Sequence, residues 1–298
     1  MVHRPLITLL LLLAVVAPNA AAAQQIPMHS WPDGLTLCGE SVPLHRQDVW
    51  EMMDQAFVAS VYNQTQVILW IKRAHRYFPY VEKRLQERRM PDDLKYIAVV
   101  ESALKTYVTS SAQAVGPWQF INGTAKRYGL RIDRWIDERY HFERATEAAL
   151  DYLSDLYGEF KNWTLAIAAY NCGENRLAKS LQAQGVKSFY DTDLPLETEA
   201  YIFRILAAKT ILARPEVYGY AIPAVSRYPS LEYDEIDLLL PNETPITAIA
   251  RAGDTTYKII REMNPEIRQQ SLPLGSFKLR LPKGKAKGFH ERLKKEWP

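Results

Sequence analysis

Helical periodicity with no competing strand pattern is the strongest constraint on how this chain can fold. Between residues 48 and 213 apolar side chains recur at three- and four-residue steps, the spacing that lines one face of an α-helix. Val49, Met52, Met53, Ala56 and Phe57 open the pattern. Val67, Ile68, Ile71 and Ala74 begin a second helix, and residues 80–88 a third. Pro91-Asp92-Asp93 reads as a helix start, since proline suits the first turn and acids favour the positive end of the helix dipole. Helical patterns follow over 124–128, 146–160, 164–170, 175–184 and 197–212, separated by Gly and Pro. The expectation is a mainly α protein whose 48–213 segment is all-helical.

Both ends differ from this body. His3 and Arg4 precede an apolar run from Leu6 to Ala17, and residues 20–23 are all alanine. These three parts predict a signal peptide over 1–23 and an exported protein of the periplasm or cell envelope. A membrane anchor is the other reading, but the run is short of the ~20 residues a spanning helix needs. Residues 24–86 then comprise an extended arm, to about residue 45, and the first helices. Pro215, Gly219, Pro223 and Pro229 mark 214–231 as a linker. Beyond it, strand patterns at 232–240 and 277–281 flank two short helices, predicting a small α+β module over 232–283. Residues 284–298 form a lysine-rich tail.

Composition narrows the function classes. Of the 298 residues 47% are hydrophobic, and the net charge is +3, so nothing calls for nucleic acid as a partner. A monomer is expected, with no metal and no cofactor. Cys38 and Cys172 are the only cysteines. In an oxidising compartment they form one disulfide, or they are two separate buried thiols.

One carboxylate is out of place. Leu94, Ile97, Ala98, Leu104 and Val108 mark the apolar face of the helix beginning at Asp92, and Glu101 falls on that same face. Burying an ionised carboxylate costs on the order of several kcal/mol unless it is paired, and desolvation raises its pKa. That is what a general acid working near neutral pH requires. The competing reading is a surface glutamate paired with Lys105 at i+4.

Glu101-Ser102 is followed by Ser110 and Ser111, then by Gly116-Pro117-Trp118-Gln119-Phe120, and later by Ala168-Ala169-Tyr170-Asn171-Cys172-Gly173-Glu174-Asn175-Arg176. This ordered set resembles the soluble-lytic-transglycosylase (SLT) family: a Glu-Ser pair, a Gly-x-x-Gln turn and an Ala-Tyr-Asn motif. Met90-Pro91, the 146–153 segment and Leu194-Pro195-Leu196-Glu197-Thr198 most resemble the branch of membrane-bound lytic murein transglycosylase D. The likeness covers roughly residues 45–225. Pro117 stands where the family usually has an aliphatic residue, and Cys172 where it usually has a small one.

The resemblance implies a lysozyme-like domain over 87–213, with core motifs in 90–176 and closing helices to 213. It implies cleavage of the bond between N-acetylmuramic acid and N-acetylglucosamine in peptidoglycan, and association with the cell envelope. Glu101 would be acid and then base, and Tyr170 would bond that carboxylate or support the intermediate. Gln119 would hold the substrate's acetamido group, and Gly116 would let the backbone approach the sugar. Ser102 would bond Glu101 or the sugar, unless it bonds back to the main chain. Asn171 would orient the turn at Gly173 or bind substrate. Tyr107, Trp118 and Trp163 are candidate stacking platforms, core packing being the alternative for each. Asp133, Asp137, Glu143 and Glu174 are the candidates for a second acid; without one, the acetamido group itself assists and a 1,6-anhydro end results. The rivals are a hydrolytic goose-type muramidase and a catalytically silent peptidoglycan-binding protein.

Residues 232–283 resemble a LysM-type glycan-binding module, through Asn264-Pro265-Glu266-Ile267 and Leu272-Pro273-Leu274-Gly275. The module's usual Gly-Asp-Thr opening is replaced by Asn242-Glu243-Thr244, while Gly253-Asp254-Thr255 falls between the helices. A purely structural appendage is the alternative.

Overall fold

The computed structural model describes residues 28–297. The expected signal peptide, 1–23, lies outside the described residues. Two compact units divide the chain at Ser30, and every described helix and strand lies in the second, Trp31–Pro298. Among the described residues no helix is long and apolar enough to cross a membrane.

The expected arm is stitched into the fold. Strands β1 (Thr36–Leu37) and β2 (Glu40–Ser41) pair as a hairpin. Its two-residue turn, Cys38-Gly39, has φ of 53° and 83°, the positive values a tight hairpin demands. Leu37 and Val42 are buried in the helical core. Cys38 N–H donates to Asp93 at 2.7 Å.

Helices α1 (Gln47–Val61) and α2 (Gln64–Glu87) follow. The two helices expected across Ala74 and Tyr80 are this single α2, with Pro79 inside it. Proline removes one backbone N–H; Pro79 and His75, four residues before it, are both exposed, so water can satisfy the freed carbonyl and packing keeps the helix whole. Asp92–Leu94 form a 3-10 turn leading into α3 (Lys95–Ser102). Next come α4 (Asn122–Arg127), α5 (Phe142–Phe160), α6 (Trp163–Cys172), α7 (Glu174–Gln184) and α8 (Leu196–Ala213). Helix α8 runs through the core against α1, α3 and α6, with Tyr201, Ile202, Ile205, Leu206 and Ile211 buried along it. Glu40 caps α6, accepting from the N–H groups of Trp163 and Thr164 and from the Thr164 hydroxyl. A carboxylate there suits the positive helix end.

Residues 214–231 lie on this body rather than free of it. Tyr218 and Tyr220 join its core, and Tyr228 N–H donates to Lys72 O. Strands β3 (Tyr233–Leu240) and β6 (Gly275–Pro282) then pair antiparallel, Tyr233 opposite Pro282 and Leu240 opposite Gly275. Between them stand α9 (Ile246–Ala252) and α10 (Tyr257–Met263), and a second pair of short strands, β4 (Thr244–Pro245) and β5 (Ser271–Leu272). Leu238, Ile249, Ile260 and Leu281 belong to a separate apolar core. The expected basic tail is largely helix α11 (Phe289–Glu296), whose Phe289 and Leu293 enter that core one turn apart.

The two cores are joined tightly. Ile136, from the loop before α5, packs into the second core. Arg268 N–H donates to Trp135 O at 2.7 Å and Asp137 N–H to Glu266 O at 2.8 Å. Arg280 forms an ion pair with Glu143 at 2.8 Å. A cavity of about 720 Å³ lies between the two cores; Glu101 is not among its lining residues, and much of its charge is internally paired, Arg280 with Glu143 and Lys278 with Glu235 and Asp237.

Candidate active site

Glu101 occupies the last turn of α3 because the helix is forced to stop there. Ala103 and Leu104 both take left-handed backbone, φ 52° and 59°, which costs roughly 1–2 kcal/mol for a residue with a side chain. Leu104 N–H closes back to Ala98 O, a Schellman-type ending. Leu104 is buried at 1% exposure, so core packing offsets the strain. Lys105 therefore lies beyond the helix, and no i+4 pair with Glu101 forms.

The carboxyl of Glu101 instead meets α8. Tyr201 donates its hydroxyl to Glu101 Oε1 at 2.5 Å. Glu197 and Arg204, four residues before and three after Tyr201, share its helix face. Burial pushes the Glu101 pKa up to about 7, the Tyr201 bond and Arg204 pull it down, and Glu197 pushes it up. At neutral pH such a group is divided between acid and base, poised for both roles. Burial, and then the charge of Glu101, hold the Tyr170 hydroxyl well above its usual range, so Tyr170 also faces this carboxyl.

The 115–120 turn is latched to three helices. Ser102 donates to Pro117 O at 2.9 Å and contacts Ala98 O at 3.1 Å. It thus bonds the main chain, not Glu101. Tyr170 donates to Trp118 O at 2.7 Å, so its hydroxyl supports the turn rather than the carboxylate. Trp118 is fully buried and donates Nε1–H to Thr146 at 2.9 Å; it is a core anchor, not a stacking platform. Gly116 has φ 79°, and a Cβ there would lie 1.9 Å from Arg139 O. Its missing side chain makes room for the neighbouring backbone. Gln119, also left-handed at φ 49°, turns its amide N–H to Gly116 O at 2.7 Å. Its amide oxygen carries no protein bond among the described residues.

The other expected residues are dispersed. Asn171 accepts from Thr198 at 2.9 Å, tying the end of α6 to the start of α8. Tyr107 is half exposed and donates to Arg261 O. Trp163 stacks on Tyr157, ring centres 4.2 Å apart. Each candidate second acid has another task. Asp133 caps Trp135 and Ile136, Asp137 pairs with Arg139, Glu143 with Arg280, and Glu174 with Arg127 and Tyr152. No group of three or more His, Cys, Asp or Glu side chains able to hold a metal occurs among the described residues.

The thiols are separate. Cys38 sits beside Asp93, which pairs with Lys209, while Cys172 interacts with Thr198. Lys209 and Thr198 are eleven residues apart on α8, about 16 Å along its axis. A disulfide needs Cα atoms within about 7 Å, so both cysteines stay free.

Sequence reading missed Tyr201, Glu197 as a neighbour of Glu101, and Arg204. The available signal was a tyrosine on the apolar stripe of α8, three residues after Thr198 and one before Ile202.

Residues 79–192 match the family model described as the transglycosylase SLT domain. The chain is similar to that family over this segment. Glu101, Gln119 and Tyr170 fall within it; Tyr201 lies beyond its matched end. The chain is 35% identical over 156 residues to membrane-bound lytic murein transglycosylase D of Escherichia coli K12, covering 51% of this chain and 34% of that one. It is 27% identical over 176 residues to a protein of Alteromonas sp. strain M-1 named for tributyltin chloride resistance, covering 57% of this chain and 84% of that one. An inactive mutant of lytic transglycosylase Slt from Pseudomonas aeruginosa aligns with TM-score 0.40 and 21% identity, over 51% of this chain and 26% of that one. The chain thus spans about a third of the length of the E. coli relative.

Proposed function

We propose that this protein is an exported lytic murein transglycosylase that cuts the β-1,4 bond between N-acetylmuramic acid and N-acetylglucosamine and leaves 1,6-anhydro ends. The observation that carries this reading is Glu101, a carboxyl at the end of α3 that burial raises to about 7 and Tyr201 holds in place.

Protonated Glu101 gives its proton to the glycosidic oxygen as the bond to the anomeric carbon breaks. The acetamido oxygen of the muramic sugar attacks that carbon, giving an oxazolinium-like intermediate, so no second carboxylate is needed. Gln119 fits a helper role: its unbonded amide oxygen can accept the acetamido N–H and aim the group. Glu101, now ionised, takes the proton of the 6-hydroxyl, whose oxygen displaces the acetamido oxygen and closes the anhydro ring. No water is consumed, and Glu101 ends protonated. Glu197 is the carboxylate whose charge reaches Glu101, and it keeps a two-carboxylate hydrolase as the rival.

Mass spectrometry of the muropeptides released from purified sacculi tests the reading, because anhydro ends are one water lighter than reducing ends. Reducing ends alone would establish a hydrolase, and intact sacculi a binding protein.

Residues 232–283 are read as a LysM-like, glycan-binding module. The order strand, helix, helix, strand supports it. Titrating N-acetylglucosamine oligomers into the full chain should shift NMR signals of this module; unmoved signals there would leave it a structural appendage.

A further inference from the structure

Where the chain leaves α3, a pocket of about 260 Å³ opens between α2, the 104–107 loop and Tyr228. Arg73, Arg76 and Lys105 line it together with Tyr77, Tyr107 and Tyr228, and its lining contains no carboxylate. Among the described residues none of these three cations has a carboxylate oxygen within 4 Å. Other cations of these helices are paired: Arg84 of α2 and Arg88 just past its end share Glu147, and Lys95 of α3 holds Glu82 and Asp92. Beyond Tyr107 lie Arg261 and Arg268, with Glu262 and Glu266, on the C-terminal side.

The guanidinium groups are held in advance. Arg73 donates to Ala103 O at 3.2 Å, and Arg76 to Pro229 O at 2.9 Å. The Arg76 guanidinium also lies over the Tyr228 ring, 5.3 Å from its centre, and Lys72 is 5.6 Å from that same centre. Each guanidinium has five N–H donors and spends one on these carbonyls, so the others remain for a ligand. Pre-set donors lose little freedom when an oxyanion arrives. The ring faces beside them suit a sugar or an aliphatic chain.

The pocket is near Glu101. Lys105 is four residues further along the chain, which limits their Cα separation to about 14 Å. We propose that this pocket binds a carboxylate carried by the substrate, on the peptide or the lactyl group of the muramic sugar, next to the cleaved bond. This rests on the transglycosylase reading.

The test uses the full-length chain with Glu101→Gln, titrated calorimetrically with a disaccharide tetrapeptide muropeptide, with its methyl ester, and with the peptide-free disaccharide whose lactyl carboxylate remains. The free acid should bind roughly tenfold to a hundredfold tighter than the ester, as loss of a charge-assisted bond implies. Arg76→Gln and, separately, the exposed Lys105→Gln should shrink that ratio, while Arg76→Lys should keep part of it. Preference for the peptide-bearing or the peptide-free acid tells which carboxylate is read. Equal binding of acid and ester overturns the proposal, as does a ratio that both glutamine variants leave intact, or competition by inorganic phosphate at the affinity of the muropeptide. In parallel, the unsubstituted chain is assayed on sacculi. Absence of cleavage there sinks the transglycosylase reading, while cleavage with equal acid and ester binding sinks only the pocket.

Discussion

Tyr201 donates its hydroxyl to Glu101 Oε1 at 2.5 Å, joining residues a hundred positions apart at the contact of α3 and α8. The bond favours the ionised carboxylate and opposes the desolvation that raises its pKa. Tyr201→Phe removes the donor and leaves the ring. The Glu101 pKa should then rise further, moving the alkaline limb of the kcat/KM profile to higher pH. The carboxyl also loses its fixed orientation, so kcat should fall roughly tenfold to a hundredfold, the equivalent of one charge-assisted bond. A pH–rate profile on sacculi reads both. An alkaline limb that stayed put or moved down would contradict this reading of the pair.

Glu197 acts on Glu101 in the opposite sense, its negative charge pushing the pKa up. Glu197→Gln should lower the Glu101 pKa and bring the alkaline limb to lower pH. Glu197 is exposed, so the fold should hold. In the substrate-assisted scheme kcat below that limb changes by less than about tenfold, since Glu197 is not asked to attack or to activate water. A loss of about a thousandfold or more would instead mark Glu197 as the second carboxylate of a hydrolase.

The apolar surroundings of Glu101 were legible from periodicity, because Ile97 and Ala98 precede it within one helix and Leu94 in the turn that opens it. Tyr201 was not, because what brings it to Glu101 is the packing of α8 on α3, a tertiary contact with no local signature. The Gly116–Gln119 turn was legible as a turn but not in its roles. A buried tryptophan that fixes a loop and an exposed one that stacks on a sugar look the same in sequence. The 1.9 Å approach of Arg139 O and the positive φ together explain Gly116. The two helices read around residues 67–74 and 80–88 are one, since Pro79 between them need not end a helix when its freed carbonyl faces water. Phe289 and Leu293 were masked by the lysines around them, although their i, i+4 spacing gives α11 an apolar face.

Gly116→Ala should therefore be a stability variant before it is an activity variant. The added methyl meets the Arg139 carbonyl in a backbone region where side chains are already strained. Overpacking and left-handed strain each cost about 1–3 kcal/mol, so a loss of roughly 2–5 kcal/mol is expected. Chemical denaturation followed by circular dichroism measures it. A stability unchanged within about 0.5 kcal/mol would mean that the turn tolerates the methyl and that glycine serves some other need.

Glu101 should also impose a pH dependence on stability. Its folded pKa, about 7, is raised above the ordinary carboxylate value. Between those two values the folded state binds more proton than the unfolded state, so stability falls as pH rises through this window. Below the ordinary value Glu101 costs nothing through this route; above about 7 the whole penalty is present. The full shift corresponds to roughly 3 kcal/mol, and the partial exposure of the side chain reduces it to about 1–3 kcal/mol. Glu101→Gln stays neutral throughout, so it should be more stable than the parent at pH 8 by about that amount, with the gap closing towards pH 4. The expected signature is a crossing or convergence of the two stability curves on acidification, measured by urea unfolding at matched ionic strength. A constant gap from pH 4 to pH 8 would show that Glu101 ionises in the folded protein as it does in the unfolded chain. The general-acid role at neutral pH would then lose its physical basis, whatever the sequence motifs around it.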